Sequence, residues 1–195
     1  MTPSSAALQT QLDRARARGL VSIVKTVAPP RGIDPAVMLG IASRESRMGD
    51  ALAPDCTGDR GNAFGVFQID GRFHPGFAAR PDRCSDRAGA EKAAKLLQRN
   101  KRQLPTTRAA IAAYNAGVQS VQQALSGGRS PDAPTTGGDY SSDVLRRADA
   151  FRTALDLEEP SPTRTRTSFG GGAMAFALLG SSAFIFSQLL RKRYA

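Results

Sequence analysis

A chain of 195 residues with 41% hydrophobic content can bury the core of one domain and still carry appendages. Its net charge of +10 favours a polyanionic partner such as nucleic acid, anionic lipid or a bacterial wall polymer. No zinc-finger spacing or aromatic RNA-binding signature is present, so no nucleic-acid partner is expected, and a single His with two Cys excludes both the usual zinc site and a disulfide-built scaffold.

Ala6 to about Ala28 reads as one amphipathic helix, broken by Pro29-Pro30, with Arg14, Arg16 and Arg18 on its solvated surface. Asp34 and Pro35 open the next helix as N-cap and first helical residue, and Gly49 stops it after Met48. On it Val37, Ile41 and Glu45 recur every four residues and share one face. That puts a carboxylate at the C-terminal end of a buried stripe; periodicity equally allows a Glu whose head reaches water past the helix end. Residues 53–85 are rich in Gly, Pro, Asp and aromatics and read as irregular, with a short β-hairpin around Phe64 to Ile69. An irregular stretch of that length inside a domain is usually functional. Cys56 and Cys84 flank it, as two free thiols or as a bridge worth about 3–4 kcal/mol in an oxidising compartment.

Helices resume at about 85–101, 106–116, 118–125 and 140–157, with a flexible loop from Gly127 to Gly138. Residues 158–168, with Pro160, Pro162 and alternating Thr and Arg, read as a linker. Phe169 to Leu190 carries no charge over 22 residues and is flanked by Arg164, Arg166 and Arg191-Lys-Arg193. That length spans a bilayer, with an interfacial or protein-packed helix as the alternative, and the flanking charges weakly favour a cytoplasmic C-terminus. The expected organisation is a catalytic domain at 1–157, a linker at 158–168, a transmembrane helix at 169–190 and a basic tail at 191–195. No apolar secretory core is visible at the N-terminus.

One carboxyl kept protonated and one kept ionised is the equipment for hydrolysing a glycosidic bond. Burial against apolar neighbours raises a carboxyl pKa, and Glu45 fits the acid; Arg44 opposes the shift if its head turns inward. An inverting hydrolase needs a carboxylate base about 6.5–9.5 Å from the acid, with water between. Asp59 and Asp70 are candidates, each beside glycine-bearing turns (Gly58, Gly61, Gly71), although turn capping is the commoner role for such residues. Gln68 follows Gly65 in a segment where a sugar can approach the backbone. Tyr114 and Asn115 at a helix end suit a pyranose and its N-acetyl group, or else a core Tyr with a capping Asn. Tyr140 is packing or a further sugar contact, and His74, before a proline turn, is more often structural.

Asp34-Pro-Ala-Val, Ser43-Arg-Glu-Ser, Gly58-Asp-Arg-Gly-Asn-Ala-Phe-Gly-Val-Phe-Gln-Ile-Asp70, Ala113-Tyr-Asn-Ala-Gly117 and Asp139-Tyr-Ser-Ser-Asp-Val144 together resemble the goose-type (g-type) lysozyme family, in its order and spacing, over about residues 8–156. The resemblance implies a mainly α, lysozyme-like fold shared with soluble lytic transglycosylases, and inverting hydrolysis of the β-1,4 bond between N-acetylmuramic acid and N-acetylglucosamine in peptidoglycan. It places the catalytic acid on Glu45, the water-orienting aspartates on Asp59 and Asp70, and sugar contacts on His74, Tyr114, Asn115 and Tyr140, with Gln68 in a shared Gly-x-x-Gln motif. Peptidoglycan strands are the expected partner of a monomer needing no cofactor or metal. Val-Phe stands where relatives often carry Leu-Met before Gln68. The N-terminal cysteines of avian members are missing, so Cys56 and Cys84 do not come from that pattern. The apolar tail lies outside the resemblance. It suggests membrane association with the catalytic domain acting on the cell wall; a soluble protein, released or secreted without a visible signal peptide, is the alternative. A lytic transglycosylase leaving 1,6-anhydro-muramyl ends and a non-catalytic, membrane-tethered glycan-binding module are the rival functions.

Overall fold

The first breaks between helices fall where the backbone turns left-handed. In the computed structural model, which describes residues 3–155, the expected helix from Ala6 to Ala28 is two helices. These are α1 (Ser5–Ala17) and α2 (Leu20–Val27), separated because Gly19 takes φ 70°. Helix α3 (Pro35–Ser46) begins as its sequence predicts: the Asp34 carboxylate accepts a hydrogen bond from the Ala36 amide at 2.8 Å, and Pro35 takes the first turn. It ends before Gly49 because Arg47 and Met48 are already left-handed, at φ 52° and 59°. Met48 is fully buried, so core packing holds a conformation that an exposed Met would leave.

The predicted hairpin is part of a three-stranded antiparallel sheet, β1 (Thr57–Gly58), β2 (Ala63–Phe64) and β3 (Ile69–Asp70). Phe64 faces Ile69 and Thr57 in register, and Ala63 faces Asp70 and Gly58. Cys56 and Cys84 are bridged, with Cα atoms 5.7 Å apart, which ties the start of β1 to the segment ahead of the long helix that opens at Asp86. The remaining helices are α4 (Pro75–Ala78), α5 (Asp86–Gln103), α6 (Thr107–Ala116), α7 (Val118–Ser126) and α8 (Tyr140–Ala154). Ser85 and Thr106 cap α5 and α6 by accepting from the Ala88 and Ala109 amides, each at 3.1 Å. The loop from Gly127 to Gly138, expected to be flexible, is pinned instead by Asp132. That side chain is 1% exposed and accepts from the Ser141 amide at 2.7 Å, the Ser142 hydroxyl at 2.6 Å and Arg108 at 3.1 Å.

Helix α3 buries nine of its 12 residues, so it is a core helix rather than one with a single apolar stripe. Leu20, Val24, Phe67, Leu97, Ile111 and Phe151 pack around it from the other elements. Its main partner is α8, and Gly40 sets their separation: a Cβ there would lie 2.5 Å from the Val144 carbonyl oxygen. The expected linker at 158–168, apolar helix at 169–190 and basic tail at 191–195 lie outside the described residues. Among the described residues, no helix is long and apolar enough to cross a membrane.

Because the obstacle at Gly40 is backbone, Gly40→Ala forces α3 and α8 apart and destabilises the domain by about 1–3 kcal/mol. Urea unfolding of the two proteins measures this, with the expected loss seen as a lower midpoint.

Candidate active site

The last turn of α3, Ser43-Arg-Glu-Ser46, is anchored on either side of its acid. The Ser43 hydroxyl donates to Gln11 at 2.6 Å and accepts from Arg147 at 2.8 Å, all three being buried. Ser46 donates to the Val66 carbonyl at 2.8 Å, stapling the irregular segment to the helix end. Arg44 turns to α8, 2.7 Å from Asp143 and 3.0 Å from Asp139. Asp143, with its side chain 1% exposed, also receives Arg146 and Arg147, each at 2.7 Å, so its buried charge is fully paired.

Glu45 keeps partial access to solvent while protein surrounds it on most sides, as for a side chain at the floor of a cleft. Burial pushes its pKa up from 4.5 to about 7, against the opposing pull of the Tyr140 hydrogen bond and the Arg44 charge. The Tyr140 hydroxyl donates to Glu45 Oε1. Nearby, the Tyr114 hydroxyl donates to the Phe67 carbonyl at 2.8 Å. Burial, reinforced by the Glu45 charge, raises both phenols well above their ordinary value, so both stay neutral donors. Tyr140 is 2% exposed and its hydroxyl is committed to Glu45. Tyr140, expected as packing or a sugar contact, thus sits in the core with its hydroxyl on Glu45.

The two aspartates are wetter. Asp59 has a side chain 54% exposed and Asp70 one 25% exposed, and Arg72 spans them, at 2.7 Å from Asp59 and 2.6 Å from Asp70. The Asp70 carboxylate also accepts from the Arg72 amide at 2.8 Å. The Arg72 side chain is the main cause that holds Asp70 below its ordinary pKa. Arg72 was not legible as a site residue; its only signal was its place two residues after Asp70. The segment carries left-handed residues other than glycine, with φ 45° at Asp59, 55° at Arg60 and 46° at Gln68. Such conformations persist only where surroundings enforce them, and they concentrate at functional sites.

Gln68, Asp70, His74, Tyr114 and Asn115 line one cavity of about 320 Å³, bounded by the 68–74 segment, α5 and the end of α6. Glu45, Asp59 and Tyr140 are not in its wall: Glu45 lies near Tyr114, which lines it, and Asp59 is joined through Arg72 to Asp70, which also lines it. Gln68 is braced by its amide donating to the Gly65 carbonyl at 2.9 Å. Asn115 does not cap α6; its side-chain oxygen accepts from the Thr136 amide at 2.9 Å, joining the cavity edge to the loop before α8. His74 lies below its ordinary pKa, from burial first and then the Lys92 and Arg99 charges, so it is a neutral imidazole near pH 7. Among the described residues, no cluster of His, Cys, Asp and Glu is arranged to hold a metal ion.

A core helix that ends on a largely enclosed Glu45 and is stapled through Ser46 to a small three-stranded segment carrying the ion-paired Asp59 and Asp70 is the arrangement of a lysozyme-like helical domain. The family model for Lysozyme g matches residues 3–154. The chain is 35% identical to Lysozyme g of Gallus gallus over 136 residues, covering 67% of this chain and 62% of that protein. It is 34% identical to Lysozyme g of Takifugu rubripes, covering 74% of this chain and 80% of that protein, and 33% identical to that of Cyprinus carpio, with 72% and 77% covered. The chain belongs to the lysozyme g family.

The Glu45 pKa makes stability fall with pH. Between 4.5 and about 7 the folded state holds a proton that the unfolded state has released, so unfolding becomes easier as pH rises through that window. Glu45→Gln removes this slope. From pH 4 to pH 8 the variant gains about 2–3 kcal/mol relative to the parent, as measured by urea unfolding at the two pH values.

Proposed function

We propose that this protein is a peptidoglycan hydrolase that cleaves the β-1,4 bond between N-acetylmuramic acid and N-acetylglucosamine with inversion. The observation that carries this reading is the contrast between its carboxyls. Glu45 is held protonated up to about pH 7, while Asp70 is held ionised. Glu45 gives its proton to the leaving glycosidic oxygen. Asp70, coupled to Asp59 through Arg72, takes a proton from the attacking water. The anion left on Glu45 keeps the Tyr140 hydrogen bond, which favours the state after proton transfer. Gln68, His74, Tyr114 and Asn115 present the polar edges and ring of a cleft suited to an N-acetylated sugar. The excess positive charge concentrates the protein on an anionic wall.

One observation favours a second reading. Arg72 already satisfies both aspartates, which leaves Glu45 as the carboxyl free of an ion pair at the site. A lytic transglycosylase needs only that acid and closes a 1,6-anhydro ring on the muramic acid instead of admitting water. Product masses separate the two by one water, and the hydrolytic reading expects reducing ends. A non-catalytic glycan-binding module has no use for a carboxyl tuned to near-neutral pH.

Glu45→Gln is expected to lower reducing-end release from bacterial walls by about 100- to 10,000-fold, with glycan binding retained in a sedimentation assay. Near-normal lysis by that variant refutes the assignment.

The uncharged stretch from Phe169 to Leu190 supports tethering of this domain to a membrane, and its length and flanking basic residues are the grounds. Truncation after Ser168 is expected to move the protein from the membrane to the soluble fraction. If truncated and full-length chains partition alike, the tether is wrong.

A further inference from the structure

Helix α5 carries Lys92, Lys95 and Arg99 at spacings of three and four residues, on one face. Among the described residues, none of these side chains makes a hydrogen bond or ion pair. The acids near them are committed elsewhere: Glu91 lies 3.8 Å from Arg87, and Asp86 is paired with Arg18 at 2.7 Å. Asp70, which shares the cavity wall with Arg99, is held by Arg72. The cations act on one another and on His74. Burial first, then Arg99 and Lys95, depresses the Lys92 ammonium. Uncompensated like charges at helical spacing cost stability, and an anionic ligand relieves that cost.

We propose that Arg99, on the wall of the glycan cavity, forms with the neighbouring Lys92 an anion subsite that takes the carboxylates of the peptide stems carried by the substrate. This inference rests on the peptidoglycan reading of that cavity. Arg99 lines the same space as Gln68, Tyr114 and Asn115, so a glycan seated on those residues brings its substituents against α5. A muramic acid carries its peptide on the lactyl group, and a peptide chain ends in a carboxylate. A guanidinium meets a carboxylate with paired N–H donors, while Lys92 adds a less directional charge. Arg99 is exposed and Lys92 half-buried, so both are reachable.

The test measures binding without turnover. Soluble peptide-bearing wall fragments, either native or with stem carboxylates converted to amides, are titrated calorimetrically into the full chain carrying Glu45→Gln. Native fragments are expected to bind about three- to tenfold more tightly than amidated ones, with the preference shrinking as salt rises. Adding Arg99→Gln should bring the ratio close to one, and Arg99→Lys should retain part of it. Lys92→Gln serves as a second probe, and melting midpoints confirm that each variant is folded. Equal affinity of the parent for both fragments overturns the subsite, as does a preference surviving in both Arg99→Gln and Lys92→Gln. Bond cleavage is scored separately on the unmodified chain by product release, so failure of the hydrolase reading is distinguishable from failure of the subsite.

Discussion

The site depends on one carboxyl placed on a helix that is buried almost all round. An ionised carboxylate in such a setting is costly unless it is compensated. Here the compensation is a neutral phenol rather than a second charge: Tyr140 donates to Glu45, and burial keeps that phenol from ionising. A cation in direct contact would hold Glu45 ionised and remove its use as an acid. Arg44 is adjacent in sequence, but its guanidinium is drawn off to Asp139 and Asp143. Asp143 therefore does more than gather arginines that brace α8 against α3. With Asp139 it holds the Arg44 guanidinium in ion pairs rather than on Glu45.

The two aspartates follow the opposite rule. Asp70 lies on β3 and Asp59 in the turn just after β1, both reached by water and joined through one guanidinium. The three-stranded sheet is too small to stand alone. It is held by the Cys56–Cys84 bridge at one end and by the Ser46 hydroxyl bonded to the Val66 carbonyl near the other. The second of these starts one residue from Glu45. Glu45 is thus linked through its neighbour Ser46 to the segment that holds the left-handed backbone at Asp59 and Gln68.

Much of this was legible in the sequence because it is local. The Asp34 cap, the limits of α5 to α7 and the hairpin at Phe64 to Ile69 follow from propensity and turn chemistry, and the ordered motifs point to the lysozyme g family. What was not legible is long-range. Periodicity placed Glu45 beside Val37 and Ile41, yet gave no hint that Tyr140, 95 residues away, would meet it. Tyr140 read as readily as a sugar contact, because a one-dimensional pattern does not distinguish a ring facing a groove from one facing a core. Arg72 and Asp132 were missed for a related reason. Each acts by joining segments, and neither stands in a motif of its own. The division of the first helix at Gly19 was missed because the apolar pattern continues across it.

Asp132 has an effect that reaches far from its own loop. It receives the Ser141 and Ser142 amides, and Thr135, bonded back to its carbonyl at 2.7 Å, meets the Tyr140 amide at 3.4 Å. These contacts decide at which residue α8 starts to wind. A helix turns by about 100° per residue, so its starting point sets the angular phase of every side chain along it. A slip of a single residue would swing the first ring of α8 a quarter-turn or more away from α3. The register of a loop thereby governs whether Glu45 has its phenol partner.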